Sequence, residues 1–256
     1  MFPILLRIGK ITLRTYGFFV ATGVLVAYNY VKFYARKKNI DILFLSNLIF
    51  YTVIFGFLGA RLFYVLLNFD YYRYDLLSVF KIWEGGLVFY GGFLSGLIFG
   101  IIYVVFKKQN LLKILDLVSH GLFLGLSIGR FGCFSAGCCY GKPTESFLGV
   151  VFTHPESLAP IGIKIFPTQL FESAYSFLIF VILHYMQKRD LLNGRLFFIG
   201  GILYSIFRFF NEFLRGDDRG SLILGLYPSQ FISIVIFVLF SILIFCISKW
   251  KEKLLK

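Results

Sequence analysis

Residues 125–141 read GLSIGRFGCFSAGCCYG, and no other stretch of the chain gathers so much potential chemistry. Arg130 lies inside an apolar run. A guanidinium at the centre of a bilayer costs at least about 2.5–3.5 kcal/mol, so an arginine there implies a polar cavity and a partner. Cys133, Cys138 and Cys139 supply thiols, which act as nucleophiles, metal ligands or disulfide partners according to their surroundings. Gly125, Gly129 and Gly132 recur along one helical stretch. Small residues at such spacing let helices pack closely, and they also let an anionic headgroup approach backbone N–H donors. A second constellation is RFFNEFLR at 208–215. Arg208 and Glu212 are four apart and Arg215 is seven from Arg208, so the three share about one helical face. One reading is an internal ion pair that makes the helix insertable. The other is that Glu212 orients Arg208 while Arg208 grips a phosphate, a task its planar fork suits.

The elements that must position these residues are membrane spans. The chain is 58% hydrophobic with a mean hydropathy of +0.80, and only 15% of its residues are charged, against about 25% in soluble domains. Seven apolar runs, near 15–34, 43–67, 86–106, 112–134, 168–187, 195–215 and 227–248, each have the roughly 20 residues a crossing needs. The expected fold is therefore all-α: a seven-transmembrane-helix bundle forming a single membrane domain over 1–256. The mixed segment 135–167, with Pro143, Pro155 and Pro160, reads as a short extracytoplasmic head. The N-terminal MFPILLRIGKITLR is short and charged and leads straight into the first span, so no cleavable signal is expected.

A net charge of +13 could suggest nucleic acid, but the charges cluster at the ends of apolar runs and fit anionic lipid instead. Fourteen lysines and arginines fall on one side (32–38, 107–113, 188–195 and the tail from 249) against nine on the other. The positive-inside rule then places the C-terminus in the cytoplasm and the N-terminus and 135–167 outside. Arg61, Arg130 and Arg208 remain within spans. Arg61 is close enough to a span end to snorkel.

The chain resembles the bacterial prolipoprotein diacylglyceryl transferases over nearly its whole length. The resemblance rests on six blocks in order: LRTYGFF around Tyr16, GARLFYVL around Arg61, WEGGLVFYGGFLSG at 83–96, GLSIGRFGCF at 125–134, FPTQLFES at 166–173 and RFFNEFLR at 208–215. It implies an inner-membrane enzyme that moves the diacylglyceryl group of phosphatidylglycerol to the lipobox cysteine thiol of an exported precursor, releasing glycerol phosphate. That chemistry calls for no metal, nucleotide or other cofactor. Two fixed arginines in a low-dielectric site would stabilise the departing phosphate, and the acceptor brings its own thiol. By the resemblance, Arg130, Arg208, Glu212 and Tyr90 are the catalytic candidates. Tyr16, Arg61, Gly91, Gly92, Gly129, Gly132, Cys133, Cys138, Gln169, Glu172 and Arg215 are the candidates for holding substrate.

The departures from the family pattern are specific. Where the family has GRxGNFxNxE, this chain reads GRFGCFSAGC, so Cys133 replaces an asparagine, Ala136 a second asparagine and Cys138 a glutamate. Where the family has SFHGG, this chain reads VFYGG, with Tyr90 in the histidine's place. A phenol with an ordinary pKa near 10 is a poor base at neutral pH unless cations depress it. Either the arginine field alone activates the thiol or the acceptor has changed. A non-enzymatic lipid-binding or thiol-redox membrane protein is the remaining alternative.

For the cysteines, a disulfide from Cys133 to Cys138 or Cys139 is favoured over a metal. CxxxxCC lacks a fourth ligand in sequence, and His120 lies about 20 Å of helix rise before Cys133. Cys246, in the last run, reads as inert packing. His120 and His184 read as packing or interfacial groups, and His154 as one that could fold over the site. Asp217, Asp218 and Arg219 read as a solvated turn, with the resemblance allowing a gating role.

Overall fold

The computed structural model describes residues 2–8, 11–73, 75–80, 86, 88–189, 194–222 and 224–254. In chain order the elements are β1 (Ile4–Ile8), β2 (Ile11–Arg14), α1 (Thr15–Lys37), α2 (Ile42–Leu67), α3 (Phe69–Tyr72), a 3-10 turn (Leu76–Phe80), α4 (Phe89–Phe106), α5 (Leu111–Ala136), β3 (Val150–Val151), β4 (Lys164–Ile165), α6 (Thr168–Lys188), α7 (Leu196–Leu214) and α8 (Pro228–Leu254). Among the described residues, six helices (α1, α2, α5, α6, α7 and α8) are long and apolar enough to cross a membrane. The chain is a multi-span α-helical membrane protein. The third expected span begins later than its hydropathy suggests, at Phe89, because Gly86 takes a positive φ of 78° and stands outside the helix.

Helix boundaries follow local chemistry. The Asp41 carboxylate accepts from the Leu43 amide and caps α2. The Asn110 side chain accepts from the Lys113 amide at the start of α5. α8 opens on Pro228, whose missing N–H is no loss in a first turn. α5 ends at Gly137, whose φ of 80° closes the last turn, with its amide donating to the Cys133 carbonyl.

The chain divides into two compact units, Met1–Val31 with Leu115–Lys256, and Lys32–Ile114. In the first, α5, α6 and α7 share a core of Phe123, Tyr175, Ile179, Leu183 and Leu196. α1 lies against α5 where glycines remove side chains. A Cβ on Gly23 would stand 2.7 Å from the Gly125 carbonyl, and one on Gly132 would stand 3.0 Å from the Tyr16 carbonyl. The start of α7 is held by buried Asp116 of α5, whose carboxylate accepts from the Gly194 and Phe197 amides. An anion at a helix N-terminus meets both the dipole and the unpaired N–H groups there.

Two small sheets qualify the all-α expectation. β1 and β2 pair antiparallel with Leu6 opposite Leu13, Arg7 opposite Thr12 and Ile8 opposite Ile11. Their isoleucines and threonine favour extended backbone. β3 and β4 pair inside the 135–167 head, over a core of Phe152, Ala159 and Ile165 backed by Phe134 and Tyr140.

In the second unit, α2 and α4 pack through Gly56, Gly59, Gly91 and Gly92; added Cβ atoms on Gly59, Gly91 and Gly92 would crowd backbone carbonyls or side chains of the facing helix, and one on Gly56 would make ordinary contact. Arg61 does not snorkel. It is buried, and its guanidinium donates to the carbonyls of Val79, Ser78 and Gly86 at 2.8–3.1 Å. Those backbone acceptors satisfy its charge inside the protein, so reaching for water gains nothing.

Candidate active site

The site grows from the C-terminal halves of α5 and α7 and the N-terminal half of α6. Arg130, on α5, points its Nη2 at Glu172 of α6, with Oε1 at 2.6 Å. The same oxygen accepts from the Tyr204 hydroxyl of α7 at 2.6 Å. Glu172 is 2% exposed, and a carboxyl group so buried is costly without such partners. Arg130 Nη1 turns the other way, 3.8 Å from Cys133 Sγ and 4.0 Å from Cys139 Sγ. Its Nε is buried with no protein acceptor, and Gln169 Oε1 is buried with no protein donor.

One turn further along α7, Arg208 Nη1 lies 2.5 Å from Glu212 Oε2. Glu212 has no exposed surface, and its other oxygen is held by Arg219 Nη1 at 3.0 Å. The expected Arg208–Glu212 pair is therefore present, but Arg215 is not its third member. Arg215 pairs with Asp217, its Nε 2.8 Å from Oδ1. That pairing, with negative charge from Cys139 and Glu212, outweighs burial and raises the Arg215 pKa. The turn read as solvated is in fact part of the site. Arg219 also donates to the carbonyls of Glu212, Asp217 and Arg215, and its guanidinium sits 3.6 Å from the centre of the Tyr227 ring. The phenols of Tyr175 and Tyr204 lie within electrostatic range of both Arg130 and Arg208.

The cysteine turn is stapled to its neighbours. Thr168 Oγ1 donates to the Cys139 carbonyl and Gln169 Nε2 to the Cys138 carbonyl, both at 2.7 Å. Gly141 bridges Arg215 across two backbone strands, and the Gly216 amide donates to the Tyr140 carbonyl at 3.0 Å. Cys139 has a φ of 60°, a conformation that costs a residue with a Cβ about 1–2 kcal/mol. All four cysteines are free, so neither expected disulfide is formed. Instead the sulfurs of Cys133, Cys138 and Cys139 converge within 4.8 Å of one another. Thiol hydrogen bonds from Cys133 and Cys138, aided by Arg215 and Arg130, push the Cys139 pKa down, while hydrogen bonds with Cys133 and Cys139 hold Cys138 up.

Among the other candidate residues, Gly132 supports the α1 contact and Gly129 has open space where a Cβ would go. Tyr16 is exposed, in electrostatic reach of Arg130 and the three thiols. Arg61, Gly91 and Gly92 belong to the second unit and account for its internal packing. Tyr90 stands in the first turn of α4; its side chain, like residues 83–85 of the WEGG motif, lies outside the described residues. Tyr204 is a site member that the sequence reading missed, and Asp217 and Arg219 are site members that it assigned to a solvated turn. A cleft of ≈ 620 Å³ opens between β1, the start of α1 and the end of α5, lined by Phe2, Leu5, Phe18, Phe19 and Phe134.

Comparison with known proteins identifies relatives along nearly the whole chain. The family model for prolipoprotein diacylglyceryl transferase matches residues 3–246. A phosphatidylglycerol–prolipoprotein diacylglyceryl transferase of Clostridium tetani is 35% identical over 254 residues, covering 99% of this chain and all of its own. A second transferase of that name from Clostridium perfringens is 37% identical, covering 93% of this chain and 92% of its own. One from Staphylococcus haemolyticus is 33% identical, covering 99% and 91%. With the family model matched over residues 3–246 and relatives 33–37% identical along nearly the whole chain, the chain belongs to the prolipoprotein diacylglyceryl transferase family.

Proposed function

We propose that this protein transfers the diacylglyceryl group of phosphatidylglycerol to the lipobox cysteine thiol of an exported precursor. The observation that carries the reading is the pair of half-buried arginines, each pinned by a buried carboxylate, Arg130 by Glu172 and Arg208 by Glu212. Fixed guanidiniums need no reorganisation when charge moves onto a leaving phosphate. Glu212 occupies one Nη of Arg208, leaving its other donors for phosphate oxygens, and Arg130 Nε has no protein partner. The acceptor thiolate attacks the glycerol carbon that bears the phosphate. A C–S bond forms, the C–O bond breaks, and glycerol phosphate leaves with the electron pair. The apolar cleft beside Phe134 suits an acyl chain.

In this reading α4 is a seventh crossing and the whole chain acts as one membrane domain of the bacterial inner membrane. The N-terminus and residues 135–167 lie outside and the C-terminus in the cytoplasm, as the distribution of lysine and arginine supports. The test is reconstitution with phosphatidylglycerol and a lipobox peptide, reading peptide mass and released glycerol phosphate together. Both products are expected. Arg130→Ala and Arg208→Ala should each lower turnover by about 10²–10³-fold, the scale for losing one preorganised donor. Glycerol phosphate without modified peptide would keep the lipid chemistry and assign another acceptor. Full activity in both variants would refute the phosphate role.

A further inference from the structure

We propose that Cys133, Cys138 and Cys139 form a three-thiolate site for one zinc-type divalent ion, whose fourth position takes the acceptor thiol. The second half of this statement rests on the transferase reading above; the ion site does not. The three sulfurs lie within 4.8 Å of one another. A tetrahedral ion with metal–sulfur bonds of about 2.3 Å holds its sulfurs about 3.8 Å apart, so small side-chain rotations close the site. Among the described residues no histidine or carboxylate joins the group. Three protein ligands and one open position are the arrangement of a reacting zinc site, whereas a purely structural site is closed by four. The missing fourth ligand, which counts against a metal when only the sequence is read, is the position a substrate thiol would fill.

The surrounding charges select the ion. Arg130, Arg208, Arg215 and Arg219 face Glu172, Glu212 and Asp217 in ion pairs, leaving one positive charge over. Three thiolates with a divalent ion carry one negative charge and balance it. A soft monovalent ion would leave two, and three sulfurs would already satisfy it. The outer shell is also in place. Arg130 Nη1, 3.8 Å and 4.0 Å from Cys133 and Cys139, draws electron density from the ligand sulfurs and makes them poor nucleophiles beside an incoming thiolate. Thr168 and Gln169 fix the backbone of Cys139 and Cys138 from the start of α6.

This site answers the chemical question raised by the departures from the family pattern. Tyr90 stands where a histidine is expected, and Cys133 and Cys138 stand where an asparagine and a glutamate are expected. The thiol must still lose its proton. On binding a divalent ion the acceptor releases that proton to water and remains a thiolate at neutral pH. It then attacks the glycerol carbon, the C–S bond forms, and the phosphate departs with the C–O electron pair. No electron is gained or lost, so no oxidant is needed.

The test uses full-length reduced protein in detergent, stripped with a chelator and titrated with Co²⁺ and then Zn²⁺. We expect one Co²⁺ per chain with sulfur-to-cobalt charge-transfer absorption, displaced by Zn²⁺ and unchanged in Cys246→Ser. Cys133→Ser, Cys138→Ser and Cys139→Ser should each weaken binding by more than the roughly 10–100-fold that loss of an outer-shell partner brings. A lipobox peptide should then shift the cobalt ligand-field bands, and the same peptide with serine for cysteine should not. Folded, reduced wild-type protein that takes up no Co²⁺, or binds it no better than the three variants, overturns the site. Cysteine-dependent binding whose bands ignore the peptide thiol overturns the activating role and keeps the ion site. Bands that respond to the peptide while no lipid is transferred in any metal state sink the transferase reading and uphold this inference.

Discussion

Glu212 shows how single residues carry the charge balance of the site. It has no exposed surface, and it holds Arg208 with one oxygen and Arg219 with the other. Removing one member of a buried ion pair strands its partner in low dielectric, at a cost of about 3–5 kcal/mol. Glu212→Ala should therefore lower the unfolding midpoint of the solubilised protein as well as its activity. A midpoint equal to wild type would mean that water reaches Arg208 and that the site is open. At this scale the sequence was informative where partners lie on one helix. Arg208 and Glu212, four residues apart, were legible as a pair. Arg130 and Glu172 were not, because their contact depends on how α5 and α6 face each other. Arg219 was hidden for a different reason: DDRG has the composition of a solvated turn, and only the return of that turn onto Glu212 and Tyr227 buries it. The cysteine cluster needs a left-handed backbone at Cys139, which no spacing rule announces.

At the scale of elements, α1 and α5 meet through glycine. A Cβ on Gly125 would lie 3.1 Å from the Gly23 carbonyl, and one on Gly23 would lie 2.7 Å from the Gly125 carbonyl. Backbone so close cannot move aside locally, so a branched side chain must part the helices. Gly125→Val should cost about 1–3 kcal/mol, seen as a lower unfolding midpoint, while Gly129→Ala, with open space around it, should leave the midpoint at or above wild type. Equal effects at the two positions would contradict the observed crossing. The long apolar runs made most helices readable, because a bilayer demands about 20 such residues whatever their packing. The hairpin of Ile4–Ile8 and Ile11–Arg14 escaped that test, since strands of 5 and 4 residues leave no comparable hydropathy signal.

For the whole molecule the decisive property is the asymmetry of its charges. Lysines and arginines outnumber acids two to one, 26 against 13, and in the proposed seven-span topology the larger share falls on the side bearing the C-terminus. Insertion should leave that end in the cytoplasm. A cytoplasm-active reporter fused after the last residue should be active, and one fused within 135–167 should be silent; the reverse pattern would invert the proposed topology.

The arrangement of α7 adds a mechanical consequence. Its first turn is gripped by Asp116, and beyond its last turn the chain is laced to Tyr140–Lys142 by backbone hydrogen bonds. A rod fastened at both ends cannot piston or rock, so Arg208 and Glu212 ride on a stationary beam. In the proposed reaction, lipid and peptide must then be admitted by parts less firmly tethered, and turnover need not wait on the arginines being set back in place.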